Sequence, residues 1–472
     1  MAERHGFHEA HFTSIPCQSN VYGLTSLAYP GGVGKALVAP LKDKVVSLEY
    51  MAERGKTELQ PVAKEIHFAG IPDDAEIISI DSSQHIVEDG GGYIIGITFT
   101  KDAETDHPSH ILNLYAPWDK VSEYGLDSIA QMWTNIELDF TPYYLGHTKI
   151  LEDGEQEIVF LLTGSDNQVH LYREEQVGRF SEHPVGSIFP EFNDLPCVAL
   201  WLDSWNLKDC RRLSVVGCRS GYIRLVLVNT RNNEVMNQWE MNHDSAITCS
   251  QIFTSSTHME SASSWLERRE DGIKEEEEEE DVVDDTILDE DVNLLITSAV
   301  EGAVVYRNVL KEGFKNQTVL PQSDLFDCAL CTCVADLDWD GQNELLIGTY
   351  GQALLAYKYI PPESENLPST ENQVVSDNSL PEEISTKEDE RSTKEDEGEG
   401  GGGGGHGHYE LLWSRSFAHP LLALNHVDLT GDGLKEVIVL STRGVHVLQH
   451  NLDKAAQRCL DSLKELDGDD PT

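Results

Sequence analysis

The chain has 472 residues, of which 39% are hydrophobic, and carries a formal net charge of −49 at pH 7. This charge argues against binding to nucleic acid or anionic membranes, because both need clusters of Lys and Arg. Nine cysteines, an odd number, favour reduced thiols in the cytosol over a disulfide framework. The first residues lack the apolar core of a secretory signal, and no apolar run approaches the ~20 residues that span a bilayer. We therefore expect a cytoplasmic protein without direct membrane insertion.

One sequence pattern recurs along the chain: a polar turn, an aliphatic strand, a small-residue turn, and a second strand that ends near an aromatic residue. A unit of this kind cannot bury both faces of its sheet alone, so the copies must pack against each other. Short antiparallel strands in seven such units predict an all-β fold, a seven-bladed β-propeller with four strands per blade. The seven copies lie at 34–50, 92–115, 153–172, 212–228, 293–306, 334–359 and 427–449.

Two acidic inserts are expected to interrupt a single propeller that spans residues 1–451. The first, 255–291, contains six consecutive Glu from Glu275, which repel one another and offer no apolar surface. The second, 361–407, is rich in Pro, Ser and Glu and ends in a Gly tract, a composition typical of disordered linkers. Both are interpreted as solvated loops, with a regulatory role as the alternative.

The two ends of the chain carry separate predictions. The sixth unit should have strands at 330–336, 343–349, 353–359 and 409–417, whereas the seventh has only three. Residues 8–16 are expected to supply its fourth strand, so that the ring closes without an open sheet edge.

Residues 452–467 should form an amphipathic helix that packs on the propeller or docks on a partner, followed by a disordered tail at 468–472. The apolar positions of this helix are Leu452, Ala456, Cys459, Leu460, Leu463 and Leu466.

Two acidic loops are the strongest chemical motif. Oxygen ligands at alternate positions of a tight loop can converge on a hard cation such as Ca²⁺. An EF-hand places its last acidic ligand at position twelve on a helix, whereas here that acid comes at position nine and begins a strand. The spacing resembles the FG-GAP loops of integrin-type propellers, and the alternative is a hydrogen-bonded turn without metal. The candidate ligands of a structural Ca²⁺ ion are Asp336, Asp338, Asp340 and Glu344 in one loop, and Asp428, Thr430, Asp432 and Glu436 in the other.

Other motifs point away from catalysis. Cys328, Cys331 and Cys333 include one CxxC, but a structural zinc site needs a second pair of ligands at suitable spacing. They are therefore interpreted as strand thiols. No motif for nucleophilic or metal-dependent catalysis is evident. We expect no enzymatic activity, no catalytic residue, and no cofactor other than the structural Ca²⁺.

A family resemblance runs through nearly all seven units. It is carried by both acidic-loop stretches and by QSNVYGL at 18, PVAKEIHF at 61, DAEIISID at 74, GITFTKD at 96, EYGLDSIAQ at 123, RRLSVVGCRSGYIR at 211 and AVVYRNVL at 303. These segments resemble the kaptin family. The resemblance fails in the two acidic inserts, onto which no family property is transferred.

The resemblance implies a scaffold or adaptor in KICSTOR, a non-enzymatic assembly on lysosomes. Its partners would be a second FG-GAP propeller protein, a very large scaffold subunit and the GATOR complex. Through GATOR the assembly would repress mTOR complex signalling on amino-acid or glucose deprivation, and partners would bring the chain to the lysosomal surface. The alternative function that the family implies is association with actin filaments in lamellipodia and stereocilia.

Overall fold

The computed structural model describes residues 7–27, 34–52, 59–87, 90–103, 105, 108–117, 125–152, 155–256, 291–362, 407–452, 456–457 and 460. The chain divides into two compact units, Met1–Lys358 with Tyr409–Thr472, and Tyr359–His408. The seven sheets lie in the first unit, apart from strand residues Tyr359, Ile360 and His408. Of the second unit, residues 359–362 and 407–408 are described.

Seven four-stranded antiparallel sheets form the blades of a propeller. Blade 1 contains β2 (Ser19–Leu27), β3 (Lys35–Pro40), β4 (Val45–Ala52) and β5 (Leu59–Ile66). Blade 2 contains β6 (Glu76–Val87), β7 (Gly90–Lys101), β8 (Ser109–Tyr115) and β9 (Trp133–Leu138). Blade 3 contains β10 (Pro142–Glu152), β11 (Glu155–Gly164), β12 (Val169–Gln176) and β13 (Arg179–His183). Blade 4 contains β14 (Ala199–Leu207), β15 (Arg211–Cys218), β16 (Tyr222–Asn229) and β17 (Glu234–Asn242).

The remaining blades follow the same order. Blade 5 contains β18 (Ile247–Thr254), β19 (Val292–Ser298), β20 (Val304–Tyr306) and β21 (Gln317–Val319). Blade 6 contains β22 (Ala329–Ala335), β23 (Glu344–Thr349), β24 (Ala353–Ile360) and β25 (His408–Ser416). Blade 7 contains β26 (Leu421–Val427), β27 (Glu436–Ser441) and β28 (Gly444–His450), and it is completed by β1 (Phe7–Ser14). Each boundary predicted for blade 6 is within one residue of the observed one.

Ring closure by the N-terminal segment is confirmed. β1 pairs antiparallel with β28, from Phe7 opposite His450 to Ser14 opposite Gly444. Phe7 is buried on this strand. The hydrophobic core that joins blades 7 and 1 includes Ile438 of blade 7 and Val38 of blade 1. The sheet edge of blade 7 is therefore covered by the chain itself, as the three-strand count of the seventh unit indicated.

Burial along the strands explains the sequence pattern. The second strands of blades 5, 6 and 7 are buried at every position, because both of their faces pack against neighbouring blades. Outermost strands such as β25 alternate between exposed and less exposed positions, since one face meets solvent. Connections carry two helical turns, α1 (Leu126–Ile129) and α2 (Val309–Glu312), and short 3-10 turns at Val185–Ser187, Pro190–Phe192 and Ser323–Phe326.

Several predictions concern segments that lie mostly outside the described residues. The two acidic inserts coincide largely with 257–290 and 363–406, and the tail with 468–472, which lie outside the described residues. Of the C-terminal segment, residues 452, 456, 457 and 460 are described and are helical. Leu452 is 62% exposed and Leu460 is 52% exposed, and whether this helix packs on the propeller or docks on a partner stays a prediction.

Candidate functional site

The acidic loop of blade 6 joins β22 to β23 and is shaped by its own carboxylates. The Gly341 amide donates to Asp336 Oδ2 at 2.9 Å, and the Leu337 amide donates to Glu344 Oε2 at 2.7 Å. Gly341 has a φ of 82°, and Trp339, at a position where the FG-GAP pattern has glycine, has a φ of 55°. A left-handed conformation is costly for a bulky side chain. Trp339 packs on the His450 ring of blade 7 at a centroid distance of 4.3 Å, and this contact offsets the cost.

A lysine from the third strand of the blade lies among these carboxylates. Lys358 Nζ is 2.9 Å from Asp338 Oδ2, 2.7 Å from Asp340 Oδ2 and 2.7 Å from Glu344 Oε1. In the register of β23 and β24, Leu345 pairs with Tyr357, so Lys358 faces Glu344 across the hairpin. The ammonium group therefore places one positive charge where three acidic side chains converge.

The charges in this loop are strongly coupled. Burial raises the pKa of Glu344 to about 7, although Lys358 and the Leu337 amide act in the opposite direction. Burial also raises the pKa of Asp336. Burial would lower the pKa of Lys358, but hydrogen bonds to Asp340, Glu344 and Asp338 outweigh it and raise that pKa well above its usual range. Lys358 is therefore a permanent cation at physiological pH.

The acidic loop of blade 7 repeats the backbone geometry without a cation. Leu429 donates its amide to Glu436 Oε2 at 2.7 Å, as Leu337 does to Glu344. Glu436 Oε1 accepts from the Thr430 hydroxyl at 3.0 Å and from Gln449 Nε2 at 3.3 Å. Gln449 occupies the register position of Lys358, since Val437 pairs with Leu448. Neutral donors thus satisfy the buried carboxylate of this copy.

Asp428 and Asp432 stabilise the turn of this loop by hydrogen bonds. Asp428 accepts from the amides of Gly431 at 2.6 Å and Gly433 at 2.9 Å, and Asp432 accepts from the Leu434 amide at 2.8 Å. All eight sequence-predicted ligands therefore lie in two matching loops.

A third loop, at 153, keeps only part of the acidic motif, and its glutamate is also paired with a side chain of the same blade. Asp153 and Gly154 lie outside the described residues, but Glu157 accepts from Arg173 Nε at 3.1 Å. The partners Arg173, Lys358 and Gln449 were missed by sequence reasoning. In the predicted hairpins of blades 6 and 7, the third-strand residue opposite the glutamate is Lys358 or Gln449, so the register alone would have identified these two.

The fit of a Ca²⁺ ion differs between the loops. In blade 6, single carboxylate oxygens of Asp336, Asp338 and Asp340 lie within 4.8 Å of one another, which suits a hard cation. The Lys358 ammonium already contacts Asp338 and Asp340 of this cluster, so an ion could be bound only after the ammonium had moved away. In blade 7 no such cluster forms among the described residues. Calcium binding stays a prediction.

The loops also connect the blades. Asn343 of the blade 6 loop donates its amide to the Ser255 carbonyl at 2.7 Å and its side chain to the Thr254 carbonyl at 3.0 Å, both in blade 5. Through Trp339 the same loop contacts blade 7. The Asp428 carbonyl of blade 7 accepts from the Gly34 amide of blade 1 at 2.8 Å. The acidic loops therefore act as structural joints between neighbouring blades.

Aromatic side chains cross the central channel. Tyr22, Tyr144 and Trp201 lie on the innermost strands of blades 1, 3 and 4. Their ring centroids are 4.8 to 6.1 Å apart, and the Tyr22 hydroxyl donates to the Leu200 carbonyl at 2.9 Å. Blade 1 is not a neighbour of blade 3 or 4 in the ring, so these contacts span the axis. Burial raises the pKa of both tyrosines, which stay protonated.

A small polar pocket lies beside these aromatic residues. Burial raises the pKa of Asp203 to about 6, but its carboxylate accepts from the amides of Ile252 at 2.7 Å and Ser204 at 2.8 Å. His147 is paired with Asp81 at 2.7 Å. The cavity measures about 50 Å³, which is room for a few water molecules.

The cysteines of the CxxC segment are strand thiols. Cys331 and Cys333 are buried on β22, and Cys328 is partly buried just before it. Burial raises the pKa of Cys331 well above its usual range, which makes it a poor metal ligand or nucleophile. Cys331 and Cys333 are therefore buried strand thiols, as predicted, whereas Cys328 precedes the strand.

Comparison with known proteins decides the family. The family described as "KICSTOR complex protein kaptin" matches residues 7–460. The "KICSTOR complex protein kaptin" of Mus musculus is 40% identical over 458 residues, which cover 97% of this chain and 91% of the mouse protein. The chain belongs to the kaptin family. That this member of the kaptin family has no enzymatic activity stays a prediction.

One similar solved structure supports the fold, and the fold alone. The structure of BBS1N in complex with ARL6DN, soaked with lead, has a TM-score of 0.50 at 8% identity and covers 95% of this chain and 97% of its own. The WD40 β-propeller domain of Doa1 has a TM-score of 0.44 at 9% identity and covers 95% of this chain and 99% of its own. None of the described helices has the length and apolar character that crossing a bilayer requires.

Proposed function

We propose that this chain is a non-enzymatic scaffold of a KICSTOR assembly, which recruits the GATOR complex to lysosomes. In this function it represses mTOR complex signalling when amino acids or glucose are scarce. The observation that carries the proposal is the match to a KICSTOR complex protein over 97% of the chain. The closed ring and the occupied central channel support a role through surfaces and loops. The protein would reach the lysosomal membrane through its partners.

Within this proposal the acidic loops serve the fold. They join blades 5, 6, 7 and 1, and their buried glutamates are satisfied by side chains of the same blade. Any Ca²⁺ bound there would be structural. Substitutions in these loops should therefore reduce binding of partners only to the extent that they reduce stability.

The proposal is tested by affinity purification of the tagged protein from nutrient-starved cells, followed by mass spectrometry. The second FG-GAP propeller protein, the large scaffold subunit and GATOR subunits should be recovered in near-stoichiometric amounts. Recovery of actin and its regulators without those subunits would instead support the cytoskeletal function that the family also implies. A functional readout is phosphorylation of an mTOR substrate, which should persist during starvation in cells that lack the protein and fall again when it is restored.

A further inference from the structure

Exposed apolar side chains gather on one face of blades 5 and 6. In each blade, the turn between the second and third strands and the connection to the next blade open on the same face, because adjacent strands are antiparallel. In blades 5 and 6 these segments present Val300 (80% exposed), Val319 (57%), Leu325 (68%) and Tyr350 (52%). We call these four residues the blade 5/6 patch.

Hydrogen bonds tie the segments of the patch into one surface. The Leu320 amide donates to the Ala303 carbonyl at 2.8 Å, and the Ala303 amide donates to the Ser323 hydroxyl at 2.9 Å. The Tyr350 amide donates to the Cys328 carbonyl at 2.8 Å. Because the backbone is fixed in this way, a partner would lose little free energy in ordering these loops.

Backbone strain is concentrated in the same segments. Gln322, Asp327 and Gln352 all have left-handed φ angles, between 61° and 65°, although none is glycine. Such conformations cost free energy and persist where the surrounding structure holds them. Here the strained turns keep Leu325 and Tyr350 pointing into solvent instead of into the core.

The charge around the patch is of one sign. The segments that form it, 299–303, 319–328 and 350–352, and the neighbouring connection 243–246 contain no Lys or Arg. They contain four acidic residues, of which three are exposed: Asp244, Asp324 and Asp327. Glu301 is paired with His243 at 3.0 Å. Lysines and arginines lie instead on the corresponding turns of other blades, at Lys42, Lys44, Arg219 and Arg443.

We propose that the blade 5/6 patch docks a protein segment whose apolar side chains are flanked by Lys or Arg. The apolar residues would bury against Leu325 and Tyr350, and tyrosine is among the residues that dominate binding energy at interfaces. The basic flanks would face the exposed aspartates. A second copy of this chain is excluded by the same charges, since its net charge of −49 would place like charges together. The inference deepens the proposed scaffold function by naming a surface for it.

A synthetic probe tests the patch without cellular partners. A fluorescein-labelled twelve-residue peptide of leucine and lysine is titrated with the full chain in 150 mM NaCl, and binding is followed by anisotropy. The Leu325→Ser/Tyr350→Ser variant should bind at least tenfold more weakly. The control Val235→Ser/Met236→Ser, on the outer strand of blade 4, changes two residues of 44% and 52% exposure and should bind as the wild type does.

A variant with more negative charge on the patch distinguishes docking on apolar side chains from general attraction between opposite charges. Leu325→Asp/Tyr350→Asp makes the surface more acidic, so non-specific binding would become tighter, whereas docking on the patch predicts loss of binding. Asp324→Asn/Asp327→Asn should weaken binding and flatten its dependence on salt. Unaltered thermal unfolding of all variants is expected, since the side chains are exposed.

Three results would overturn the inference: no binding to the wild type up to millimolar protein, equal weakening by the patch and control pairs, or tighter binding by the Asp variant. The proposed scaffold function would fail separately. In that case the KICSTOR and GATOR subunits would be absent from purifications of the wild-type protein, whatever the peptide does.

Discussion

Replacing Lys358 with Gln tests whether its ammonium group supplies the positive charge of the blade 6 loop. Gln is the residue that blade 7 carries at the same register position, so the hairpin can accommodate its shape. The substitution leaves Asp338, Asp340 and Glu344 without their shared cation. Breaking a fully buried pair costs about 3–5 kcal/mol, and an exposed one costs at most about 1 kcal/mol.

The structure places Lys358 between these limits. The Glu344 side chain is fully buried, but those of Asp338 and Asp340 are 41% and 35% exposed. We therefore expect Lys358→Gln to lower the free energy of unfolding by about 2–3 kcal/mol, measured by urea denaturation at pH 7. The reciprocal change Gln449→Lys in blade 7 is the matched control, and it should be close to neutral or stabilising.

Calcium should then distinguish the variant from the wild type. Without the ammonium group, the carboxylates of Asp336, Asp338 and Asp340 form an uncompensated oxygen cluster. At a Ca²⁺ concentration about 100 times the dissociation constant, binding would restore about 2.7 kcal/mol. We expect Ca²⁺ to stabilise Lys358→Gln by about that amount, and to leave the wild type unchanged relative to a chelator. Stabilisation of the wild type by Ca²⁺, together with an unaffected variant, would refute this reasoning.

Three further predictions concern stability. Arg212→Met should cost about 3–5 kcal/mol in urea denaturation, because it leaves Glu191 buried without its ion pair at 2.8 Å. Arg231→Met, at an exposed position, should leave the free energy of unfolding nearly unchanged. Deleting residues 1–16 should lower the melting temperature, because it opens the ring. Within β1, Phe7→Ala should lower the free energy of unfolding by about 3–5 kcal/mol, and Phe12→Ala, which changes a 42% exposed side chain, should lower it much less. Equal losses in the two variants would contradict ring closure by β1. Burial lowers the pKa of His450 to about 4, below its value of 6.5 in the unfolded chain, so its stabilising contribution is complete above pH 6.5 and is lost as the pH falls towards 4. At pH 5 this lowers the free energy of unfolding by about 2 kcal/mol. The free energy of unfolding of His450→Gln should therefore change less between pH 6.5 and 5 than that of the wild type, and an equal change would contradict the prediction.

Prediction from the sequence worked where the chain's own periodicity defines the structure. The repeated hairpin fixed the number of blades, and the three-strand seventh unit indicated that Phe7–Ser14 completes it. The eight acidic-loop residues lie in two matching loops, as their local spacing indicated, whereas Ca²⁺ binding by them stays a prediction. What the sequence could not supply depended on contacts across the ring or the hairpin.

The missed features illustrate this limit. Tyr22 contacts Trp201 across the central channel, 179 positions later in the chain. Alternation along β2 does not indicate which of its faces meets the axis. The blade 5/6 patch likewise arises from turns that are distant in sequence, and it could be found only once the propeller had brought them to one face.

Closure of the ring by β1 has a consequence for synthesis of the protein. The Glu9 carboxylate and its partner His446 are 437 positions apart, so β1 leaves the ribosome long before the strand with which it pairs. At about 5–20 residues per second, β1 waits roughly 20–90 s for its partner. During that time the strand is free to pair with other chains. Its polar residues His8, Glu9 and His11 make it a poor template for aggregation during this time.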